Sequence, residues 1–313
     1  MNKKNYCIVG YGSHAKNKII PQLIKSKKNI LGVVSSKKKL PFLNFKNLEE
    51  AISCSNKNTI FIICSPPHIH SKQSKKILNS GFNVFIEKPV FTNIKDLKKN
   101  IDISKKNKVF FLENMMFEYS KTYRKFLKTF KKEKKIISDM ELIFTIPDYP
   151  DKTFRSKNYN YSINLFDIGC YPISLLNKLF HQIDLKIFDI KNFQNLKKEL
   201  IFIKNTNFKK IKISIKIGID KLYENKIILK CKKNKTYIFY PFFYGREGFR
   251  TIKIKSKTRN KRHILKEKNS FINLFNISNN NLKKSQQNRN ILMLKNLSSL
   301  ENLNNQYKKI INK

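Results

Sequence analysis

Cysteine is scarce and poorly spaced for chemistry: the five thiols, Cys7, Cys54, Cys64, Cys170 and Cys231, form no C-x-x-C pair, and Cys7 and Cys64 lie inside apolar runs. That spacing argues against a disulfide framework or thiolate metal cluster and leads us to expect free thiols in a reducing, cytoplasmic setting. No apolar run reaches the ~18 residues of a membrane span. The chain passes from Met1-Asn2-Lys3-Lys4 directly into a strand pattern, with neither an apolar leader nor paired arginines. Acids are few, 21 against 66 basic residues for a formal charge of +45, yet only seven of those 66 are arginine. Arginine is the side chain suited to bidentate phosphate and base recognition. The lysines are instead spread among asparagine and isoleucine, as an AT-rich genome would leave them, so no specific nucleic-acid partner is expected. Binding through bulk charge alone would show a steep salt dependence and little sequence preference. The same charge raises encounter rates with anionic ligands, such as a phosphorylated cofactor or substrate. Histidine is rare too: His68 and His70 form an H-x-H pair with no acid or cysteine cluster beside it, which argues against a metal.

What is present is a change of texture along 313 residues, a length that suits two domains with a core each. Residues 1–117 alternate short apolar runs with helical patterns, the signature of a doubly wound parallel sheet of the Rossmann type. Strands are predicted at 5–9, 30–35, 59–64, 83–87 and 109–112. Ile19, Ile20, Leu23 and Ile24 form one helical stripe and Ile77 with Leu78 another, while Pro21 should kink the first helix. Residues 118–313 carry longer runs, of which Lys210-Ile211-Lys212-Ile213-Ser214-Ile215-Lys216-Ile217 alternates most strictly, so one face is buried and the other is wet or covered by a partner. Similar runs at 136–146, 186–190, 199–204, 225–230, 236–240 and 250–255 predict a carboxy-terminal α+β domain on an open, mostly antiparallel sheet. Helices are predicted over 162–180 and 289–311, a loop over the Asn-rich 276–281, and a solvated hairpin turn within the basic stretch 255–262.

The first strand runs into Gly10-Tyr11-Gly12-Ser13-His14-Ala15, which fits G-x-G-x-x-G/A in the strand-to-helix context that a dinucleotide needs. Gly10 permits the tight turn, Gly12 lets the backbone approach a pyrophosphate, and Ala15 allows close packing, while the helix start offers N–H groups to the phosphates. The second strand ends in Ser35-Ser36-Lys37-Lys38, where NAD enzymes commonly carry an acid for the ribose 2′-hydroxyl. Hydroxyls and lysines there favour NADP(H) over NAD(H). Exposed loop residues of a lysine-rich chain are the alternative.

The turn Cys64-Ser65-Pro66-Pro67-His68-Ile69-His70, the tripeptide Glu87-Lys88-Pro89 at a strand end, and Asp167-Ile168-Gly169-Cys170-Tyr171 together resemble the Gfo/Idh/MocA family, named for glucose-fructose oxidoreductase, inositol dehydrogenase and a rhizopine catabolism protein. The last motif is similar to the family's D-x-G-x-Y branch. The resemblance implies an NAD(P)-dependent dehydrogenase or reductase acting on a sugar, nucleotide sugar or similar polyol. It places Ser65, Pro66, His70 and Glu87 along the cofactor. It makes Lys88 the group that polarises the reacting oxygen, Tyr171 the proton donor, and Asp167 the residue that holds substrate hydroxyls or orients the pair. Lys88 and Tyr171 are expected to converge on one carbonyl, where an ammonium favours the phenolate. The Lys-Pro bond is often cis in such proteins, and assembly into a homo-oligomer through the carboxy-terminal sheet is a further implication.

Three departures sit on the substrate side. Tyr161-Ser162-Ile163-Asn164 replaces a Gly-rich lead, Ser174 stands where an acid is common, and Met115 to Lys121 lacks an arginine that many relatives carry. Substrate identity therefore does not transfer. A non-catalytic sensor of dinucleotide or sugar on the same fold is the alternative; the joint presence of Lys88, Asp167 and Tyr171 favours the enzyme.

Overall fold

The computed structural model describes residues 4–37, 40–147, 161–192, 199–207, 210–220, 222–232 and 234–312. Lys38 lies outside the described residues. Two compact units emerge: residues 1–115 with 271–297, and residues 116–270 with 298–313.

The first unit is built on β1 (Asn5–Val9), β2 (Asn29–Val34), β3 (Asn44–Phe45), β4 (Thr59–Ile63), β5 (Asn83–Glu87) and β6 (Phe111–Asn114). They lie in the order β3-β2-β1-β4-β5-β6, and every pair is parallel. The runs Cys-Ile-Val, Ile-Phe-Ile-Ile and Val-Phe-Ile on β1, β4 and β5 are apolar on both faces, which suits a sheet covered on both sides; all ten side chains are buried. Helices α1 (Ile20–Lys25), α2 (Leu48–Ser53), α3 (Pro67–Asn79) and α4 (Ile94–Lys106) connect the strands. Asn47 and Asn93 accept the free N–H groups at the starts of α2 and α4, each cap stabilising by about 1 kcal/mol. The kink expected at Pro21 is a π-helical turn, Ala15–Ile19, directly before α1. A proline ring crowds the carbonyl four residues back, and the wider turn relieves that clash.

In the second unit, β7 (Ile137–Ile146), β8 (Leu185–Asn192), β9 (Glu199–Asn205), β10 (Lys212–Ile219), β11 (Glu224–Cys231), β12 (Lys235–Tyr240), β13 (Gly248–Lys255) and β14 (Lys261–Glu267) form one sheet. The order is β14-β13-β12-β11-β7-β10-β9-β8, antiparallel except for β10 beside β7. On β10 the isoleucines 213, 215 and 217 are buried while Lys212 and Ser214 are exposed, as the alternation requires. Helices α5 (Lys121–Glu133) and α6 (Cys170–Leu179) belong to this unit, α6 being preceded by a π-helical turn, Asn164–Gly169. The start of α5 is held by a buried acid from β14: Glu267 accepts the N–H groups of Lys121 and Thr122 at 3.0 and 2.6 Å.

The basic stretch contains the expected turn, closed by Ser256 and Arg259. The chain then returns as β14, a strand the sequence pattern did not disclose because this edge strand is largely exposed and lacks alternation. The Asn-rich loop is shorter than expected. Helix α7 (Ser270–Phe275) precedes it, and α8 (Asn279–Lys284) starts within it because the Ser278 hydroxyl accepts the Asn281 N–H.

Phe271 to Leu297 returns to the first unit, where Phe275 packs at 5.7 Å from Tyr6 and 6.4 Å from Phe85. Helix α9 (Gln286–Ile311) then supplies two side chains that satisfy open sheet edges. In the first unit Gln286 accepts from the N–H of Phe111 on β6 and donates to its carbonyl. In the second, Gln306 accepts from Ile187 N–H and donates to the Leu185 carbonyl on β8. Each glutamine covers unpaired backbone of an outermost strand that would otherwise invite another chain.

Gly218 is the tightest backbone contact of the second unit. Its φ is +133°, and a Cβ there would lie 2.0 Å from the Glu199 carbonyl oxygen on β9. Gly218→Ala should therefore cost about 3 kcal/mol or more, read as a lower urea midpoint; an unchanged midpoint would mean that β9 and β10 do not approach as described.

Candidate functional site

Parallel strands deliver their carboxyl ends to one edge of the sheet, and in the first unit that edge collects the predicted residues. Gly10 ends β1 with φ +94°, and its N–H donates to Val34 at the end of β2. A Cβ at Gly10 would sit 3.0 Å from the Ser65 nitrogen after β4, so only glycine threads the turn between the two strand ends. Gly12 is the opposite case: nothing lies within 4 Å of where its Cβ would be. The loop is thus closed on the protein side and open on the other, the cradle that a pyrophosphate needs. Ser13 is exposed and accepts a bond from Asn17, while Ala15 is fully buried.

His14 turns toward the protein. Its Nε2 lies 3.2 Å from Glu87 Oε2 at the end of β5, and its ring meets Phe271 edge-on at 6.0 Å. Glu87 is buried and also accepts from Asn114 of β6 at 3.0 Å. Burial alone would raise its pKa, but the His14 charge, the bonds from His14 and Asn114 and the neighbouring Lys88 ammonium outweigh it and hold the carboxyl below its ordinary range. Lys88 follows, half-buried, and the Lys88-Pro89 bond is cis. His70, one turn into α3, is wholly buried: Nδ1 lies 3.1 Å from the carbonyls of both Pro89 and Val90, and Nε2 lies 2.8 Å from that of Ser65. It therefore straps the turn after β4 to the turn that carries Lys88, and Glu113 adds a second strap by accepting the Val90 N–H at 2.8 Å. Ser65 donates to Gln73, and Pro66 precedes the first turn of α3. At the end of β2, Ser35 accepts the Lys37 N–H at 3.1 Å, Ser36 is exposed, and the Lys37 ammonium stands 5.8 Å from the Tyr11 ring centre.

Asp167 and Tyr171 occupy a junction in the second unit. Asp167 lies in the π-helical turn and Tyr171 one residue into α6, both buried. The Tyr171 ring is walled by Phe144 at 5.4 Å, Phe117 at 6.1 Å and Phe243 at 6.2 Å. An apolar wall of this kind strengthens any charge interaction the hydroxyl makes. The start of the π turn is anchored by Glu199, which accepts from Asn164 at 2.8 Å, from Ser162 at 3.3 Å and from Tyr307 at 2.8 Å. Burial raises the Glu199 pKa against the lowering effect of those three bonds. Neither Glu199 nor Asn114 belongs to the sequence-derived set. Both act across strands, and a lone acid or amide at a strand end carries no local signal.

Residues 4–115 match the Gfo/Idh/MocA family model, described as an oxidoreductase family with an NAD-binding Rossmann fold. The chain carries the Gfo/Idh/MocA NAD-binding domain. Among solved structures it is similar to KijD10, a 3-ketoreductase from Actinomadura kijaniata in complex with NADP and TDP-benzene. The two are 14% identical, with a TM-score of 0.79, over 96% of this chain and 97% of that one. KijD10 has also been solved with a tyrosine replaced by phenylalanine and with a lysine replaced by alanine or glutamate. A second similar structure is the aldose-aldose oxidoreductase from Caulobacter crescentus, complexed with glycerol, at 14% identity and a TM-score of 0.78 over 98% of each chain. These likenesses establish that the Gfo/Idh/MocA architecture extends through the carboxy-terminal α+β part. No curated protein matches the sequence. No helix among the described residues is long and apolar enough to cross a membrane, and no cluster of metal-ligand side chains occurs among them.

The depressed pKa of Glu87 has a pH consequence. A carboxyl held below its ordinary value of 4.5 in the folded state stabilises the fold above that value, and the contribution is lost as pH falls through the folded pKa. Urea midpoints should therefore drop on acidification below about pH 4.5 in the wild type, and Glu87→Gln should lack that component. Identical acid limbs for the two proteins would show that the carboxylate is not held as described.

Proposed function

We propose that the protein is an NAD(P)-dependent oxidoreductase that interconverts a carbonyl and a hydroxyl on a sugar, nucleotide sugar or similar polyol. The observation that supports this most is the Glu87-Lys88-Pro89 turn, strapped by His70 and Glu113 beside the open cradle of Gly12. An ammonium is held there where doubly wound sheets bind dinucleotides. The backbone from Gly10 to Ala15 and the Ser65-Pro66 turn would hold the cofactor, with His14, Glu87 and His70 setting the backbone that does so. Ser35, Ser36 and Lys37 form the end that would receive a 2′-phosphate, which favours NADP(H).

When bound, the nicotinamide supplies or accepts the hydride. The chain's own residues do the rest. Lys88 donates a hydrogen bond to the reacting oxygen and stabilises negative charge as it develops there. Tyr171 passes its phenolic proton to that oxygen in the reducing direction and takes one back in the oxidising direction. Its phenylalanine wall keeps water from competing for the hydroxyl. Asp167 orients the substrate's neighbouring hydroxyls, and Glu199 fixes the turn on which Asp167 rides. This assignment follows the tyrosine type of the D-x-G motif. The protein would work in the cytoplasm, which suits its five unpaired thiols. Exposed Phe188, Tyr240, Phe249 and Ile264 on the carboxy-terminal strands support assembly of copies through that sheet.

Lys88→Met and Tyr171→Phe should each lower kcat about 100-fold or more in a screen of keto sugars with NADPH, with NADPH affinity by nicotinamide fluorescence unchanged. The double variant should be little slower than either single one if both groups serve one oxygen; full rate in either single variant removes its role. Ser36→Asp, which puts a charge where the 2′-phosphate would sit, should raise the KM for NADPH about tenfold or more while sparing NADH. Equal effects on both cofactors would assign the 2′-end elsewhere.

A further inference from the structure

One cleft of the second unit has no part in this chemistry. It lies where β11 begins, β12 ends and β13 begins, encloses about 530 Å³, and is walled chiefly by Tyr223, Pro241, Tyr244, Arg246, Glu247 and Arg250. In a chain with only seven arginines, two stand on one ring: the guanidinium carbons of Arg246 and Arg250 are 5.7 and 4.7 Å from the Tyr244 centroid. Arg250 is 2% exposed; its Nη1 donates to the Phe249 carbonyl and its Nη2 to that of Arg246, while its Nε has no partner. It is a fixed, buried cation that shapes the loop. Arg246 on the same loop is exposed. The nearby acid Glu267 has both oxygens committed to the start of α5, so it does not bond Arg250. The single acid in the lining, Glu247, is outnumbered by the two guanidiniums. On the opposite wall the Tyr223 hydroxyl accepts from Asn225, and its ring meets Phe144 edge-on at 6.4 Å, the same phenylalanine that packs against Tyr171.

Buried positive charge without a bonded carboxylate is costly unless an anion repays it. Planar guanidiniums favour phosphate oxygens in a way that lysine does not, and tyrosine faces stack on flat rings of any identity. The volume is that of a small-molecule site. We propose that this cleft receives the phosphate-bearing, planar-ring end of the substrate, so that the protein acts on a nucleoside diphosphate derivative of a sugar and not on a free sugar. Arg246 closes on the diphosphate, Arg250 supplies the fixed field, and Tyr223 and Tyr244 sandwich the base. The sugar end then extends past Phe144 toward Tyr171, the one respect in which this inference rests on the proposed function.

The test is calorimetric titration of the full chain, saturated with NADPH, with uridine diphosphate. Binding is expected that inorganic pyrophosphate competes away, that weakens about tenfold or more in Arg246→Ala and less in Arg246→Lys, and that also weakens in Tyr244→Leu. NADPH affinity should be unchanged in all three. Mere attraction to a chain of net charge +45 would survive loss of one guanidinium, so equal binding by wild type and Arg246→Ala overturns the proposal, as does no binding at millimolar nucleotide. The outcomes separate from those of the function. Arg246-dependent nucleotide binding without any carbonyl turnover keeps the subsite and removes the oxidoreductase assignment. Turnover of free keto sugars that Arg246→Ala leaves untouched keeps the assignment and removes the subsite.

Discussion

A single buried carboxylate, Glu87, organises the edge of the first sheet. Burying it is unfavourable by itself, and it remains ionised because His14, Asn114 and Lys88 surround it. The consequence is geometric. His14 belongs to the glycine loop after β1, Asn114 to β6, and Lys88 to the turn after β5, so one acid ties three separate strand ends into a fixed set. A surface lysine has many rotamers and little chemical direction. Placed next to this acid, on a turn strapped by His70 and Glu113, Lys88 becomes a positioned cation.

The second unit solves the same problem with another buried acid. Glu199 gathers Ser162, Asn164 and Tyr307 around the start of the π-helical turn that carries Asp167. Gly218 makes the site possible, since any side chain there would collide with the Glu199 backbone. In both units the residues with assigned chemistry lie beside a wide helical turn, Ala15–Ile19 and Asn164–Gly169. Such turns leave backbone groups less regularly paired and are common near functional sites. Here they begin helices that must reach a strand end.

Much of this was legible in the residues. The continuous apolar strands and G-x-G-x-x-A marked the parallel sheet and its cradle, and the strict alternation of 210–217 marked a half-buried strand. These signals are local, because a side-chain period of two or a glycine in a turn is set by the nearest backbone. What escaped was nonlocal or weak in pattern. β14 is polar and exposed, and it is a strand only because β13 offers it a partner. β3 has two residues. The return of Phe271 to Leu297 to the first unit depends on Phe275 finding Tyr6 and Phe85, which are hundreds of residues away in sequence.

The sequence alone determined the fold class, the glycine loop and the identity of the chemical groups, because these follow from periodicity, turn sterics and side-chain chemistry at short range. Tertiary structure alone decided how those groups are held. It turned His14 and His70 inward as struts, enlisted Asn114 and Glu199, and set Arg246 and Arg250 against one tyrosine. Each of those outcomes is a balance between the cost of burying a polar group and the bonds it finds there, and those partners are contributed by distant segments of the chain.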